Sequence, residues 1–232
     1  SNAPNRDAPP HSADSAQDMG SRAVGGGGGG DGSISGTVKA SSGTVDLTQL
    51  GTTDWKNLGG DADQKAGVTN VISAISGIGD TSGNNYTRAG TKQAWTDGTN
   101  QVSHLGTLSG LRVFDAGEGL KFTVPAGTDP ATVKILTTIK AASATLSASL
   151  SDGSAPDYTA NIVTSSRKGR LIAITYKAAS AGQSLEVRLV INSGGWIGLD
   201  AITLEGGGGG GPVNLPPVID TIPTQNVTEG DT

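Results

Sequence analysis

SLEVRLVINSGGWIGLDAITLE, Ser184–Glu205, is the stretch that decides the fold class. Leu185, Val187, Leu189 and Ile191 alternate with polar residues, the period-two signature of a strand with one face buried. Trp196–Leu204 then forms a second apolar run. Asn192-Ser193-Gly194-Gly195 between them carries turn chemistry, so the stretch reads as two strands joined by a turn, with Trp196 where loop becomes strand.

Outward from there the same pattern repeats. Strands are predicted near Ile34–Lys39, Thr44–Leu47, Val68–Ile75, Leu111–Asp115, Gly119–Val124, Thr132–Ala141, Ala144–Ser151, Tyr158–Thr164 and Arg170–Lys177. Alternation is clear at Leu120/Phe122/Val124 and at Ile172/Ile174/Tyr176, which also assigns Tyr176 to the core. Gly117, Gly127, Asp152-Gly153 and Ala181-Gly182 punctuate these runs as turns. Helical periodicity is weak and confined to Gln64–Ala74. Many short strands without a βαβ rhythm define an all-β chain, an antiparallel β-sandwich of jelly-roll type.

Two six-glycine tracts, Gly25–Gly30 and Gly206–Gly211, bracket this region as coil of roughly 13 Å root-mean-square span each. Residues 1–32, rich in Ala, Pro, Ser, Asp and Gly, read as a disordered linker, 33–205 as one sandwich, and 206–215 as a second linker. The net charge of −5 and the lack of a basic stripe exclude nucleic acid as the expected partner. No apolar run approaches the roughly 18 residues of a membrane span. The absence of cysteine removes disulfides, thiolate metal sites and a cysteine nucleophile.

Five segments carry a resemblance. VDLTQLGTTDWKNLG (Val45–Gly59), AWTDGT (Ala94–Thr99), FTVPAGTDPATVKI (Phe122–Ile135), LSASLSDGSAPDYTA (Leu146–Ala160) and ITYKAASAGQSLEV (Ile174–Val187) resemble a module of large secreted and surface-attached bacterial proteins. That module is of the galactose-binding-domain-like jelly-roll type, the group that holds many carbohydrate-binding modules. The resemblance implies a non-catalytic accessory domain at the cell surface or outside it, with a polysaccharide or glycan and the neighbouring domains of its own chain as partners. Beyond Gly211, Asn214, Pro216, Pro217, Val218, Gln225, Val227, Glu229, Gly230 and Asp231 resemble the opening of an immunoglobulin- or cadherin-like repeat, which gives 216–232 as the start of a further domain.

Candidate chemistry follows from side chains. His104 is the one histidine of the central region, and no nucleophile elbow, HExxH, phosphate loop or dinucleotide fingerprint accompanies it, so the chain is expected not to be an enzyme. Asp61-Ala62-Asp63 places two carboxylates on one side of a loop as candidate ligands for a structural calcium, or else as a solvated turn. A pyranose packs its C–H face on an aromatic ring while amides and cations take its hydroxyls. Trp55 and Trp95 lie within the module's own strings and read as core or loop anchors. Tyr86, with Asn84, Asn85 and Arg88 beside it, either faces such a sugar or plugs an end of the sandwich. Trp196, with Asn192 upstream and Asp200 downstream, is the second candidate, with the core as its other reading. Glycan binding is therefore the expected function, against a structural spacer or adhesion module without a small-ligand site.

Overall fold

A computed structural model describes residues 31–68 and 71–207; the two linkers and the start of a further repeat lie, apart from their inner ends, outside the described residues. The chain forms β1 (Ser33–Ser41), β2 (Thr44–Asp46), a single-turn helix α1 (Leu47–Leu50), β3 (Asp54–Asn57), β4 (Asp63–Gln64), β5 (Ser76–Ile78), β6 (Asn84–Tyr86) and β7 (Lys92–Trp95). It continues with β8 (His104–Thr107), β9 (Gly110–Val113), β10 (Gly119–Ala126), β11 (Ala131–Leu150), β12 (Tyr158–Val163), β13 (Arg167–Lys177) and β14 (Gln183–Gly206). All pairings between these strands are antiparallel except β2 with β7. The all-β antiparallel sandwich expected from the sequence is the fold observed. Among the described residues no helix is long and apolar enough to cross a membrane.

Two strands build both layers. The first half of β11 pairs with β13 and with the second half of β14; its second half pairs with β12 and with the first half of β14. One layer therefore runs β1-β13-β11-β14 with β3 and β9 at the far side, and the other β12-β11-β14-β10-β5. Ile135, Ile172, Ile174 and Ile202 of the first layer pack with Leu146, Val187, Leu189 and Phe122 of the second in one core. Each such fully buried aliphatic side chain contributes about 1.5–3 kcal/mol. Tyr176, fully buried as expected, donates its hydroxyl to Pro125 O across the layers at 2.9 Å.

The expected turn at Asn192–Gly195 is a correction. β14 runs through it, and β11 runs unbroken through the expected gap before Ala144. Asn192 is an extra residue, since Ile191 faces Ala144 and Ser193 faces Ser143. Gly194 (φ +97) and Ala141 (φ +48) take the bend in left-handed conformations. Turn-forming residues thus serve as a β-bulge that carries two strands from one layer to the other. A second bulge leaves Asp200 extra between Leu199 and Ala201.

The strand expected at Val68–Ile75 and the helical periodicity of Gln64–Ala74 are not realised in the described residues; the segment is irregular and precedes the short β5. Its apolar residues still fill the core, because Ile72 N–H donates to Asp54 Oδ2 at 2.9 Å and Ser73 N–H to Thr123 O at 3.0 Å, which pins the loop against the sheet. Segments from the region 44–113 cross the outer face of the first layer. There Leu47, Trp55 and Trp95 cover Leu136 and Ala201, while Tyr86 and Ala89 cover Trp196. That is why Trp196–Leu204 is buried at every position.

Candidate functional site

The cleft forms where β6 and the segment after it lie on this outer face. Strand register assembles it from residues far apart in sequence. Asn84 faces Arg112, Arg112 faces Gly198, Gly198 faces Thr138 and Thr138 faces Gly169. One step of two residues along the strands, Trp196 faces Lys140, and Lys140 faces Arg167. Side chains opposite one another, or two apart on a strand, share a face. The outer face here therefore presents Arg112, Trp196, Lys140 and Arg167 together.

Glycines make the room. A Cβ at Gly198 would stand 2.5 Å from the Tyr86 hydroxyl oxygen, and one at Gly110 would stand 2.6 Å from Tyr86 Cε1. The Tyr86 ring lies in the trough that these two positions leave empty. Gly90 and Gly169 let two backbones touch, since a Cβ on Gly90 would meet Gly169 N at 2.4 Å. Gly90 N–H donates to Thr138 Oγ1 at 2.7 Å and Ala89 N–H to Leu108 O at 2.8 Å, which fixes the segment following Tyr86 as a wall.

Beneath the cleft, Tyr86 donates its hydroxyl to Asp200 Oδ1, and Thr138 Oγ1 donates to Asp200 Oδ2 at 2.7 Å. Burial pushes the Asp200 carboxyl up to about 8, against the opposing effect of the two hydrogen bonds. Burial, followed by the charge of Asp200, also pushes the Tyr86 phenol well above its ordinary value. Neither hydroxyl nor carboxyl is thus set up to ionise freely near neutrality.

The resulting cleft has a volume of about 420 Å³ and is lined by Asn85, Tyr86, Thr87, Arg88, Arg112, Lys140, Arg167 and Trp196. That is within the ~300–1,000 Å³ of small-ligand clefts. Tyr86 and Trp196 meet edge to face, with ring centroids 5.0 Å apart. The Arg112 guanidinium carbon lies 5.8 Å from the Tyr86 centroid, 5.7 Å from that of Trp196 and 4.9 Å from that of Phe114. Its Nε is buried without an acceptor. Three aromatic rings therefore hold one cation in place.

Tyr86, Arg88 and Trp196, separated by more than a hundred residues in sequence, thus line one cleft. Asn84 and Asn192 do not line it. Asn84 sits exposed beside it, with Asn85 in the lining instead, and Asn192 is held by Thr145 Oγ1 at 2.9 Å on the bulge. Lys140, Arg167 and Arg112 were missed by reading the sequence. The one sequence signal for the site's underside was Asp200, an acid inside a nine-residue apolar run.

Asp61 and Asp63, the calcium candidates, are both engaged by donors of the chain itself. Asp63 is buried and accepts N–H bonds from Gln64 (2.8 Å), Thr99 (3.1 Å) and Asn100 (2.9 Å) on Oδ1 and from Gln101 (2.8 Å) on Oδ2. Asp61 Oδ2 accepts the Thr107 hydroxyl at 2.6 Å. Among the described residues no group of three or more His, Cys, Asp or Glu side chains could hold a metal ion. Asp63 instead organises the loop that brings Trp95 to the sheet. Trp55 and Trp95 are both fully buried, with centroids 5.3 Å apart, and serve as anchors as expected. His104 stacks on Trp95 at 4.9 Å, and its Nδ1 accepts from Gly106 N–H at 3.0 Å.

No family model and no curated protein matches the chain. Among solved structures it is similar to a carbohydrate-binding module, TmCBM61, in complex with β-1,4-galactotriose, at 16% identity and a TM-score of 0.38, over 57% of this chain and 88% of that one. It is similar to the carbohydrate-binding module Xyl-CBM35, in complex with a glucuronic-acid-containing disaccharide, at 15% identity and a TM-score of 0.32, over 61% and 91%. It is similar also to the enzymatically active domain of tailspike protein 4 from bacteriophage CBA120, at 14% identity and a TM-score of 0.33, over 58% of this chain and 19% of that one.

Proposed function

We propose that this chain is a non-catalytic carbohydrate-binding module of a secreted or surface-attached protein, with its ligand in the Tyr86–Trp196 cleft. The observation that carries the reading is the convergence in one small cleft of two aromatic edges, an amide, a hydroxyl and free cationic donors. Those are the groups that take the C–H face and hydroxyls of a pyranose. The non-catalytic reading is supported by the lining, which holds no carboxylate: glycoside hydrolysis needs a carboxyl pair flanking the bond, and Asp200 lies below Tyr86 with both oxygens engaged.

One observation favours the structural spacer. Tyr86 and Trp196 are only 4% and 7% exposed, so they offer ring edges rather than open platforms. The two readings separate on a glycan array probed with the full chain, followed by titration of Arg88→Ala and Trp196→Phe against any hit. Arg88 is exposed, so its truncation leaves the packing intact, while Trp196→Phe keeps an aromatic ring in a buried position at some cost in volume. The sugar reading expects affinity to fall about tenfold or more for Arg88→Ala, the value of one charge-assisted hydrogen bond, with the thermal midpoint unchanged. An array without hits sinks it in favour of the spacer, and a hit that both variants bind like the parent sinks the Tyr86–Trp196 cleft as the site.

A further inference from the structure

The cleft carries a charge pattern that a neutral sugar does not call for. Arg88, Arg112, Lys140 and Arg167 line it, and no carboxylate does. The ion pairs among the described residues lie elsewhere, at Lys65–Asp97, Lys121–Glu186, Lys134–Glu205 and Arg188–Glu186. Four cations thus gather without counter-charges on a chain whose net charge is −5.

The arrangement works against stability. Lys140 and Arg167 stand directly opposite on neighbouring antiparallel strands. Their Cβ atoms are roughly 5 Å apart in that relation, and with both side chains exposed the like charges cost the fold a small amount. Like charges opposite one another with no carboxylate in the lining leave a place that an anion would neutralise. Arg112, fixed over the rings of Tyr86, Trp196 and Phe114, loses little side-chain freedom on binding an anion.

We propose that the ligand is an anionic glycan, whose ring bears a carboxylate or a sulfate that seats among Lys140, Arg167 and Arg112. This rests on the reading of the cleft as a sugar site. A nucleic acid shares the negative charge, but the cations here are confined to one small cleft rather than tracking along a strand.

The test titrates the full chain with trigalacturonic acid, its methyl ester, a sulfated disaccharide and a single-stranded oligothymidylate, at low and at 0.5 M salt (about a 4 Å screening length). The expected result is at least about tenfold tighter binding of the acid than of its ester, the factor of one charge-assisted hydrogen bond. That gap should close at high salt. The Lys140→Gln/Arg167→Gln double variant should lose it while melting no lower than the parent, because a repulsion has been removed. Preference for the sulfated disaccharide over the acid with the same behaviour supports the anionic class and assigns sulfate. Equal binding of acid and ester overturns the anionic ligand while leaving the carbohydrate site standing. Binding of none of the sugars overturns both, and tighter binding of the oligothymidylate than of any sugar overturns the glycan in favour of nucleic acid.

Discussion

At the scale of single residues, Asp200 is the group on which the cleft depends. Its carboxyl accepts from Tyr86 and Thr138 in a fully buried position, and burial lifts it to about 8. The ordinary carboxylate value is about 3.9. Between those two values the folded chain keeps a proton that the unfolded chain has released. The resulting stabilisation is complete below about pH 4 and is lost as pH rises through about 8. Thermal midpoints of the parent are therefore expected to decline from pH 5 to pH 8.5, and Asp200→Asn, which cannot ionise, should show a flatter profile. An identical slope in the variant would show that Asp200 ionises in the fold. Residue by residue, the sequence made half of this site legible. Tyr86, Arg88 and Trp196 stood out because aromatic and cationic side chains in glycine-rich polar loops are unusual. Lys140 and Arg167 did not, because a lysine or arginine in an alternating strand reads as its solvated face until the register of β11 with β13 sets the two side by side.

The elements show the same division. Periodicity fixes a strand's existence and its buried face, so β1, β10, β12 and β13 lie close to where the alternation placed them. The bulge in β14 was hidden because Asn-Ser-Gly-Gly has the composition of a turn, and the difference between turn and bulge is decided by pairing with β11. The short strands β3, β4, β6, β7 and β8 were illegible for another reason: side-chain hydrogen bonds hold their segments in place as much as apolar alternation does. Asp63 gathers four backbone N–H groups, and Asp97 accepts from Trp55 Nε1 at 2.8 Å and pairs with Lys65. Asp63→Ala removes that shared acceptor, Thr99 N–H alone keeping a second one in Gln64 O at 3.0 Å, and with water reaching some of the others the expected loss is about 2–4 kcal/mol, read from the denaturant midpoint. An unchanged midpoint would show that the loop is not held by this carboxylate. The bend itself is tested by Gly194→Ala. A Cβ there stands 2.4 Å from Ala141 O at φ +97, so about 1–3 kcal/mol should be lost, and the cleft beside Lys140 should bind its ligand more weakly.

For the molecule as a whole, the question is whether the sandwich is complete within the central region. β1 pairs with β13 along its entire length, from Ser33 against Lys177 to Ser41 against Gly169. At the other end β14 stays paired until Gly206 faces Ala131, and Gly207 N–H donates to Pro130 O at 3.2 Å. Ile34 from the first strand and Leu204 from the last belong to the same core. We propose that the unit from β1 to β14, whose first and last strands share one core, folds on its own. We therefore expect a chain cut to Ser33–Gly207 to unfold in one cooperative transition, with a thermal midpoint within about 2 °C of the full chain's. For a domain of this size, 1 kcal/mol shifts the midpoint by about 2–4 °C, so a larger drop would mean that the flanking residues contribute contacts. The same cut chain should bind any glycan with unchanged affinity, because every residue lining the cleft lies between Asn85 and Trp196. A truncated chain that melts like the parent but has lost its ligand would place part of the recognition outside the sandwich.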